Sequence, residues 1–246
     1  MPALKRVGHK GADAIAPGNT LASFDAALDA GVDMIEFDVL PARHHHDRAD
    51  PGNPLVLAHD YAALARAAAA PTLEQGLEHL ASLRFAQLEL DVDLKLPGYE
   101  RRVLDTLREF ELLDRCLITS QYESSLAALR RCSDDLRLGW SVPRASRDYL
   151  RSPFYFVPAL IAMQVLRRAL PGRALAALQA RRCDALMSHW RLITPALVAA
   201  VHAGGGELYA WTVDDAAVIA KLEVLGVTGV ITNDPRLFAE RAAPDA

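Results

Sequence analysis

The chain contains the stretch Leu88-Glu89-Leu90-Asp91-Val92-Asp93-Leu94-Lys95, in which leucine or valine occupies every even position and an ionisable residue every odd one. Successive side chains of a β-strand point to opposite faces, so this pattern predicts a strand with one apolar and one ionisable face. A half-exposed antiparallel strand would show the same local pattern. Helical segments on both sides favour instead a strand of a parallel barrel, in which the ionisable column from Glu89 to Lys95 faces the lumen.

Short apolar runs alternate with helical patterns along the rest of the chain. The predicted strands are Leu4–His9, Met34–Val39, Phe85–Lys95, Cys116–Ser120, Arg137–Val142, Ala185–Ser188, Glu207–Val213 and Gly229–Thr232. The predicted helices include Thr20–Ala30, Thr72–Leu83, Tyr99–Leu112, Ser124–Arg131, Pro195–Ala203 and Asp214–Leu225. Eight such units in 246 residues favour an α/β TIM (β/α)8 barrel in a single domain. A doubly wound sheet is the second interpretation, but the first turn lacks the spaced glycines of a dinucleotide fold.

Two segments interrupt this alternation. Residues 40–73 follow the second predicted strand and contain His44-His45-His46, whereas residues 143–172 follow the fifth and contain Phe154-Tyr155-Phe156. Loops that follow the strands of a barrel build its active site. Both segments are therefore expected as loop excursions on the side of the site, within one domain that spans residues 1–246.

Composition argues against several classes of protein. Hydrophobic residues make up 51% of the chain, enough for a large core, and the formal charge of −4 does not fit a nucleic-acid-binding surface. The three cysteines are odd in number and lie in apolar segments, so no disulfide framework is expected. The first residues lack the apolar region of a signal peptide, and no apolar stretch is long enough for a transmembrane segment. These features predict a soluble cytoplasmic protein.

Two carboxylates lie close together on the second predicted strand. Glu36 and Asp38 are two residues apart, so both point to one face of the strand. Unpaired carboxylates at this spacing repel each other and resist burial. A bound divalent cation relieves both costs, because hard cations prefer oxygen ligands. The alternative is a solvated acidic pair on an edge strand, but a closed barrel has no edges. Asp93 on the third predicted strand is placed to complete the metal site, and Lys95 to meet an anionic substrate.

Two histidines follow apolar runs. His9 ends the first predicted strand, and His59 closes the run Leu57-Ala58 after the second. Histidine exchanges protons near neutral pH because of its ordinary pKa. Beside a carboxylate-bound metal, one imidazole could take a proton from a nucleophile while the other protonates a leaving alkoxide. This combination suits the cleavage of a phosphodiester.

Seven motifs occur in order between residues 9 and 235. They are His9-Lys10-Gly11, Pro17-Gly18-Asn19-Thr20, Ile35-Glu36-Phe37-Asp38-Val39, Leu57-Ala58-His59-Asp60, Asp93-Leu94-Lys95, Trp211-Thr212-Val213 and Gly226-Val227-Thr228-Gly229-Val230-Ile231-Thr232-Asn233-Asp234-Pro235. This series resembles the glycerophosphodiester phosphodiesterase family of the PLC-like phosphodiesterase superfamily. The family patterns are His-Arg-Gly, Pro-Glu-Asn-Thr, Ile-Glu-x-Asp-Val, an apolar pair before His-Asp, Glu-x-Lys, Trp-Thr-Val and Gly-Val-x-Gly-x-x-Thr-Asp-x-Pro.

The resemblance implies metal-dependent hydrolysis of a small-molecule glycerophosphodiester to an alcohol and a glycerol phosphate. By position it implies that His9 and His59 are the catalytic acid–base pair. The implied ligands of one divalent cation, Mg²⁺ or Ca²⁺, are Glu36, Asp38 and Asp93. The implied substrate-binding residues are Lys10, Lys95 and Trp211. For Trp211, a wall beside the glycerol or head group and plain barrel packing are equally open.

The chain departs from the family patterns at several positions. Lys10 replaces an arginine and loses its bidentate fork for phosphate. Gly18 replaces a glutamate, and we expect the two changes to compensate if that glutamate partners the arginine. Asp93 replaces a glutamate that is one methylene longer, so the metal must lie closer or accept a bridging water. A loop with three histidines replaces the usual Thr-x-Asp-Gly turn.

Several alternatives stay open at this point. His44-His45-His46 could be a solvated loop, a phosphate contact or a site for a softer metal, and His189 could line the site. Contact of the Phe154–Phe156 segment with an acyl chain would indicate a lysophospholipase D-type substrate, whereas packing over the barrel would not.

Two rival functions follow from other features. A Schiff-base aldolase would use Lys95 with a lowered pKa, but the neighbouring acids should raise that pKa. A barrel that binds phosphate esters without turnover is suggested by Lys10 and Gly18, and the intact histidines and carboxylates argue against it.

Overall fold

The computed structural model describes residues 3–144 and 156–240 of the chain, and its parallel strands form a closed barrel. These strands are β1 (Lys5–Gly8), β2 (Met34–Pro41), β4 (Glu89–Leu94), β5 (Cys116–Ser120), β6 (Arg137–Val142), β7 (Ala185–His189), β8 (Glu207–Trp211) and β9 (Gly229–Thr232), and the short β3 (Leu55–Leu57) lies antiparallel to β2. Strand β1 pairs in parallel with both β2 and β9, which closes the sheet. The predicted TIM barrel is therefore confirmed, and the doubly wound sheet, which would have two open edges, is excluded.

Helices connect the strands and cover the barrel. They are α1 (Leu21–Asp29), α2 (Tyr61–Arg66), α3 (Leu73–Leu80), α4 (Glu100–Glu109), α5 (Glu123–Cys132), α6 (Phe156–Gln179), α7 (Pro195–Ala203), α8 (Ala216–Leu225) and α9 (Leu237–Glu240). Six were expected from the sequence. The longest, α6, lies largely where the loop excursion 143–172 was predicted. Its prolines, Pro158 and Pro171, obscure the helical pattern in the sequence, although proline is tolerated in a first helical turn. Residues 145–155, with Phe154 and Tyr155, lie outside the described part of the chain.

Two apolar layers position the site. The larger one lies between the sheet and its helices and includes the outward-facing Ile35 and Phe37. The smaller one fills the lumen, where its members are Val7, Met34, Leu117, Ala185, Met187, Tyr209 and Ile231. Because this inner layer closes the lower part of the lumen, polar side chains farther along the strands collect at the carboxyl ends, as in other barrels.

A network of charges joins the first residues of alternate strands at the opposite end. The Lys5 ammonium lies 2.5 Å from Glu89 Oε1, and the Arg137 guanidinium donates to Glu89 Oε2 at 2.8 Å. Arg137 also donates to Glu207 Oε2 at 3.1 Å, which links β6 to β8. Burial alone would raise the pKa of Glu89, but its hydrogen bonds to Lys5 and Arg137 hold that pKa below its usual range. The network therefore stabilises the end of the barrel away from the strand termini that carry chemistry.

Replacing Glu89 with glutamine should lower the free energy of unfolding by about 1–2 kcal/mol at neutral pH, because two partly buried cations lose their acceptor. A carboxyl with a lowered folded-state pKa stabilises the fold above its unfolded-state pKa, and this stabilisation is lost as the pH falls through the folded-state value. The difference between wild type and Glu89→Gln should therefore disappear in acid. Urea unfolding across this range measures it.

The matched control is Glu109→Gln, on the exposed end of α4, where a change within about 0.5 kcal/mol is expected. An equal loss in both variants, or a loss from Glu89→Gln that persists in acid, would show that the network does not stabilise the barrel.

Two compositional expectations can be compared with the structure. Cys116, Cys132 and Cys183 are all free, and only Cys132 is exposed. Within residues 3–144 and 156–240, no helix combines the length and the apolar character needed to cross a membrane.

Candidate active site

Strand pairing brings the acidic side chains of two strands together. In the parallel register of β2 and β4, Glu36 lies opposite Asp91, and Asp38 lies opposite Asp93. Apolar residues between them, such as Phe37, point outward and pack under the helices. Because side chains alternate between the two faces of each strand, the four carboxylates of this register lie together inside the barrel.

Three of these carboxylates converge on one point. Glu36, Asp38 and Asp93 each offer an oxygen atom, and these atoms lie within 4.8 Å of one another. The Lys95 ammonium lies 2.8 Å from both Asp38 Oδ1 and Asp93 Oδ2. Among the described residues, the buried Asp93 Oδ1 has no hydrogen-bond partner. An all-oxygen donor set with an unpartnered buried oxygen fits a hard divalent cation such as Mg²⁺ or Ca²⁺.

The pKa values in this cluster show an excess of negative charge. Burial, followed by the carboxylates of Asp38 and Asp91, raises the pKa of Glu36 well above its usual range. Burial and then Asp93 raise the pKa of Asp91 to about 8. Burial alone would lower the pKa of Lys95, but Asp38 and Asp93 raise it well above its usual range. Such a lysine is a poor Schiff-base nucleophile, which argues against the aldolase.

The loop after β1 holds two of the carboxylates. Asn19 donates from Nδ2 to Asp38 Oδ2 at 2.8 Å, and its Oδ1 accepts the Asp38 backbone N–H at 3.0 Å. The backbone N–H of Lys10 donates to Glu36 Oε2 at 2.7 Å. Gly11 has a φ of +84°, and a Cβ there would lie 2.5 Å from the Ser23 carbonyl oxygen, so this close turn requires glycine. Sequence reasoning missed the role of Asn19, although it belongs to the second motif.

Asp13 supplies the acidic group that the second motif lacks at Gly18. Its Oδ2 lies 3.4 Å from the Lys10 ammonium, and its Oδ1 accepts the Gly18 backbone N–H at 2.8 Å. A Cβ at position 18 would lie 2.6 Å from Asp13 Oδ1. Gly18 thus makes room for the carboxylate that pairs with Lys10, whereas the compensation expected between the two departures stays a prediction.

His9 is held by a chain of hydrogen bonds from the last strand. Its Nδ1 lies 2.6 Å from Asn233 Oδ1, and Asn233 Nδ2 donates to Asp214 Oδ2 at 2.7 Å. Since Asp214 requires a donor, Asn233 presents its carbonyl oxygen to His9, and His9 carries its proton on Nδ1. The lone pair on Nε2 then faces the site, 3.8 Å from Glu36 Oε2. Burial and the charge of Lys10 lower the pKa of His9 to about 4.

His59 has a different environment from His9. Its Nδ1 lies 3.0 Å from Asp60 Oδ2, and Asp60 also caps α2 by accepting the Ala63 backbone N–H. The His59 side chain is 47% exposed, compared with 19% for His9. The two histidines therefore differ in the group behind the ring, an amide for His9 and a carboxylate for His59.

These side chains line a cavity of about 130 Å³ at the carboxyl ends of the strands. Its walls are His9, Glu36, His59, Asp91, Asp93, Lys95, Thr119, Gln121, Ser141, Met187, Trp211, Thr212 and Ile231. Asp38 lies fully buried beside it. The Lys10 side chain does not belong to this wall, and a substrate contact by Lys10 stays a prediction. Trp211 has a buried indole Nε1 without a hydrogen-bond partner in the described part of the chain.

Sequence reasoning missed several wall residues. Thr119 donates to Asp91 Oδ1 at 2.7 Å, and Gln121 and Ser141 bring further polar groups. These residues lie at or near the ends of β5 and β6, which carry no acid or histidine, so only their position at the ends of predicted strands could have indicated them. A larger groove of about 980 Å³ lies outside the barrel between α5 and α6 and contains none of the catalytic candidates.

Comparison with known proteins agrees with this geometry. The model of the glycerophosphoryl diester phosphodiesterase family matches residues 9–44 and 154–237. A glycerophosphodiester phosphodiesterase of Caldanaerobacter subterraneus subsp. tengcongensis is 23% identical over 262 residues, which cover 93% of this chain and 93% of that protein.

Solved structures show the same fold. The crystal structure of a glycerophosphodiester phosphodiesterase from Agrobacterium tumefaciens matches with a TM-score of 0.71 and 19% identity, covering 97% of this chain and 99% of that one. An Oleispira antarctica phosphodiesterase in complex with the product sn-glycerol-3-phosphate matches with a TM-score of 0.70 and 18% identity, covering 96% of each chain.

The matched family segments include His9, Glu36, Asp38 and Trp211, and the barrel brings His59, Asp93 and Lys95 beside them. The family model covers just under half of the chain, whereas the relatives and the solved structures match nearly its whole length, so this chain is similar to the glycerophosphoryl diester phosphodiesterase family, a family of phosphoric diester hydrolases.

Proposed function

We propose that this chain hydrolyses glycerophosphodiesters to an alcohol and a glycerol phosphate, with one divalent cation, Mg²⁺ or Ca²⁺, and two histidines. The observation that carries the proposal is the convergence of Glu36, Asp38 and Asp93 beside His9 and His59 in and around one cavity. Similarity to this family supports the substrate class, and the glycerol phosphate in the Oleispira complex is the product expected here.

Glu36, Asp38 and Asp93 would hold the cation. When bound, a divalent cation supplies Lewis-acid stabilisation of negative charge on the phosphate. Lys95 adds a second positive charge on the same side. Its ammonium has three donors, and the contacts with Asp38 and Asp93 use two of them. The third is then directed to a phosphate oxygen.

The two histidines divide the proton transfers. His9 presents the Nε2 lone pair and takes the proton of the attacking hydroxyl, of water or of the substrate glycerol, as that oxygen bonds to phosphorus. His59 protonates the leaving alkoxide as its bond to phosphorus breaks. After the step His9 carries one proton more and His59 one proton fewer. The neutral amide of Asn233 behind His9 and the carboxylate of Asp60 behind His59 favour this division.

The size of the cavity fits this arrangement. A volume of about 130 Å³ holds a cation and a phosphoryl group, so the rest of the substrate lies at the open mouth. Trp211 and Met187 give the wall an apolar side, against which the carbon atoms of glycerol would pack.

Turnover of glycerophosphocholine, glycerophosphoethanolamine and a lysophospholipid tests the substrate class. We expect release of glycerol phosphate from the first two with Mg²⁺, Ca²⁺ or Mn²⁺, and no release with EDTA. Faster cleavage of the lysophospholipid would indicate a lysophospholipase D-type enzyme. Tight binding of phosphate esters without turnover under any metal would overturn the proposal in favour of a binding protein. A cyclic phosphate among early products would identify the substrate hydroxyl as the nucleophile.

A further inference from the structure

The loop between β2 and β3 carries a pair of imidazoles that the proposed reaction does not use. His44 Nδ1 and His45 Nε2 lie 3.4 Å apart. The two rings meet nearly at right angles, at 77°, with their centroids 4.5 Å apart. Two nitrogens bound to one tetrahedral zinc ion, with Zn–N bonds of about 2.0–2.1 Å, would be about 3.3 Å apart. The pair therefore has the separation that a shared metal ion imposes.

A direct hydrogen bond between the rings is the simpler interpretation. It would place one N–H against the other lone pair, but 3.4 Å is longer than the distance of about 2.7–3.2 Å common for N–H donors in proteins. Both side chains are exposed, so water could satisfy each nitrogen separately at little cost. A hydrogen bond of this length is weak, so it does not explain why the two rings lie together.

Side-chain hydrogen bonds hold the backbone of the surrounding loop at several positions. The side chain of Asn53, itself fully buried, accepts the Arg43 backbone N–H at 2.8 Å and donates to the Arg43 carbonyl at 3.1 Å. The Arg102 guanidinium donates to the carbonyls of Arg48 and Asn53, both at 2.8 Å. These bonds anchor the backbone on either side of the histidines, which lowers the entropy lost when a metal orders the rings.

The His44 ring is also packed against a neighbour. It meets the ring of Tyr61 edge-on, with centroids 4.4 Å apart and an angle of 76° between the planes. Tyr61 begins α2, directly after the Asp60 that contacts His59. The histidine pair therefore lies next to the segment that carries His59, and it is separate from the carboxylate cluster.

We propose that His44 and His45 form a second metal site, which takes a transition metal such as Zn²⁺, Ni²⁺ or Cu²⁺. Imidazole nitrogen suits these ions, whereas Mg²⁺ and Ca²⁺ prefer the oxygen ligands of the catalytic cluster. Within the part of the chain that the structure describes, no third imidazole, thiol or carboxylate joins the pair. The remaining coordination positions are therefore filled by water or by a small anion.

Calorimetric titration with Ni²⁺ tests this site. Saturating Mg²⁺ is kept present so that hard-cation sites are occupied. We compare the wild type with the double variant His44→Ala/His45→Ala and with His46→Ala, which removes the exposed third histidine of the run. The wild type and His46→Ala should bind one more equivalent of Ni²⁺ than the double variant.

Equal Ni²⁺ binding by the wild type and the double variant would overturn the proposal. Equal loss in His46→Ala and the double variant would also overturn it, because the whole histidine run would then bind nickel without a defined pair. Turnover with Mg²⁺ is measured on the same preparations. Failure of the catalytic proposal removes turnover and leaves the nickel titration unchanged, so the two proposals fail separately.

Discussion

Alanine at His9 or at His59 should lower kcat for glycerophosphocholine by about 10²- to 10⁴-fold, because each variant loses one of the two proton transfers. His9 Nε2 is the lone pair directed at the site, and Asn233 fixes it in that tautomer. His59 is the accessible imidazole beside the Asp60 carboxylate. Initial rates at saturating substrate and metal measure the effect.

A substrate with a 4-nitrophenolate leaving group distinguishes the two roles. This group leaves without a proton, so the variant that lacks the general acid should recover most of its activity on it, whereas the variant that lacks the general base should not. We expect recovery in His59→Ala and none in His9→Ala. Recovery in His9→Ala alone would reverse the assignment.

His202→Ala is the matched control, since His202 is an exposed histidine on α7. Its kcat should equal that of the wild type. Retention of Mn²⁺ binding by His9→Ala and His59→Ala would show that their losses arise from proton transfer and not from loss of the metal. If either catalytic variant keeps wild-type kcat, the two-histidine mechanism is wrong.

Removing one carboxylate charge from the cluster should have an equally large effect. Asp38→Asn or Asp93→Asn should lower kcat/KM by about 10³-fold or more and abolish tight Mn²⁺ binding, because the proposed metal would contribute several kcal/mol to stabilising phosphate charge. Asp38 is fully buried between Asn19 and Lys95, so its replacement also leaves the Lys95 ammonium with one carboxylate fewer. Mn²⁺ titration and turnover measure the two effects separately.

Asp93→Glu is the matched conservative variant, because it keeps the charge and adds the methylene that the family pattern has at this position. It should retain turnover and Mn²⁺ binding, whereas Asp93→Asn should lose both. Circular dichroism of each variant tests whether the fold is preserved. Full Mn²⁺ binding and turnover in a folded Asp93→Asn would place the metal elsewhere.

Much of the fold could be predicted because strands and helices have different periods in sequence. The bounds of β5, β6 and β9 match the predicted strands. The alternation in β4 also correctly indicated which side chains enter the lumen, since a strand that packs under helices on one face leaves the other face to the interior. Helix α6 was missed, because its prolines and nearly continuous apolar residues hide the helical period.

The sequence by itself determined the barrel, its ordered motifs and the types of residue that carry acid, base and metal-ligand chemistry. Only the tertiary structure decided which of these groups meet. Asn233 contacts His9 across 224 residues of sequence, and Asp13 takes the place of a carboxylate that the motif lost at Gly18. The physical reason is that a local pattern fixes which face of a strand a side chain occupies. Contacts between distant segments depend on the register of neighbouring strands and on the loop conformations that barrel closure imposes.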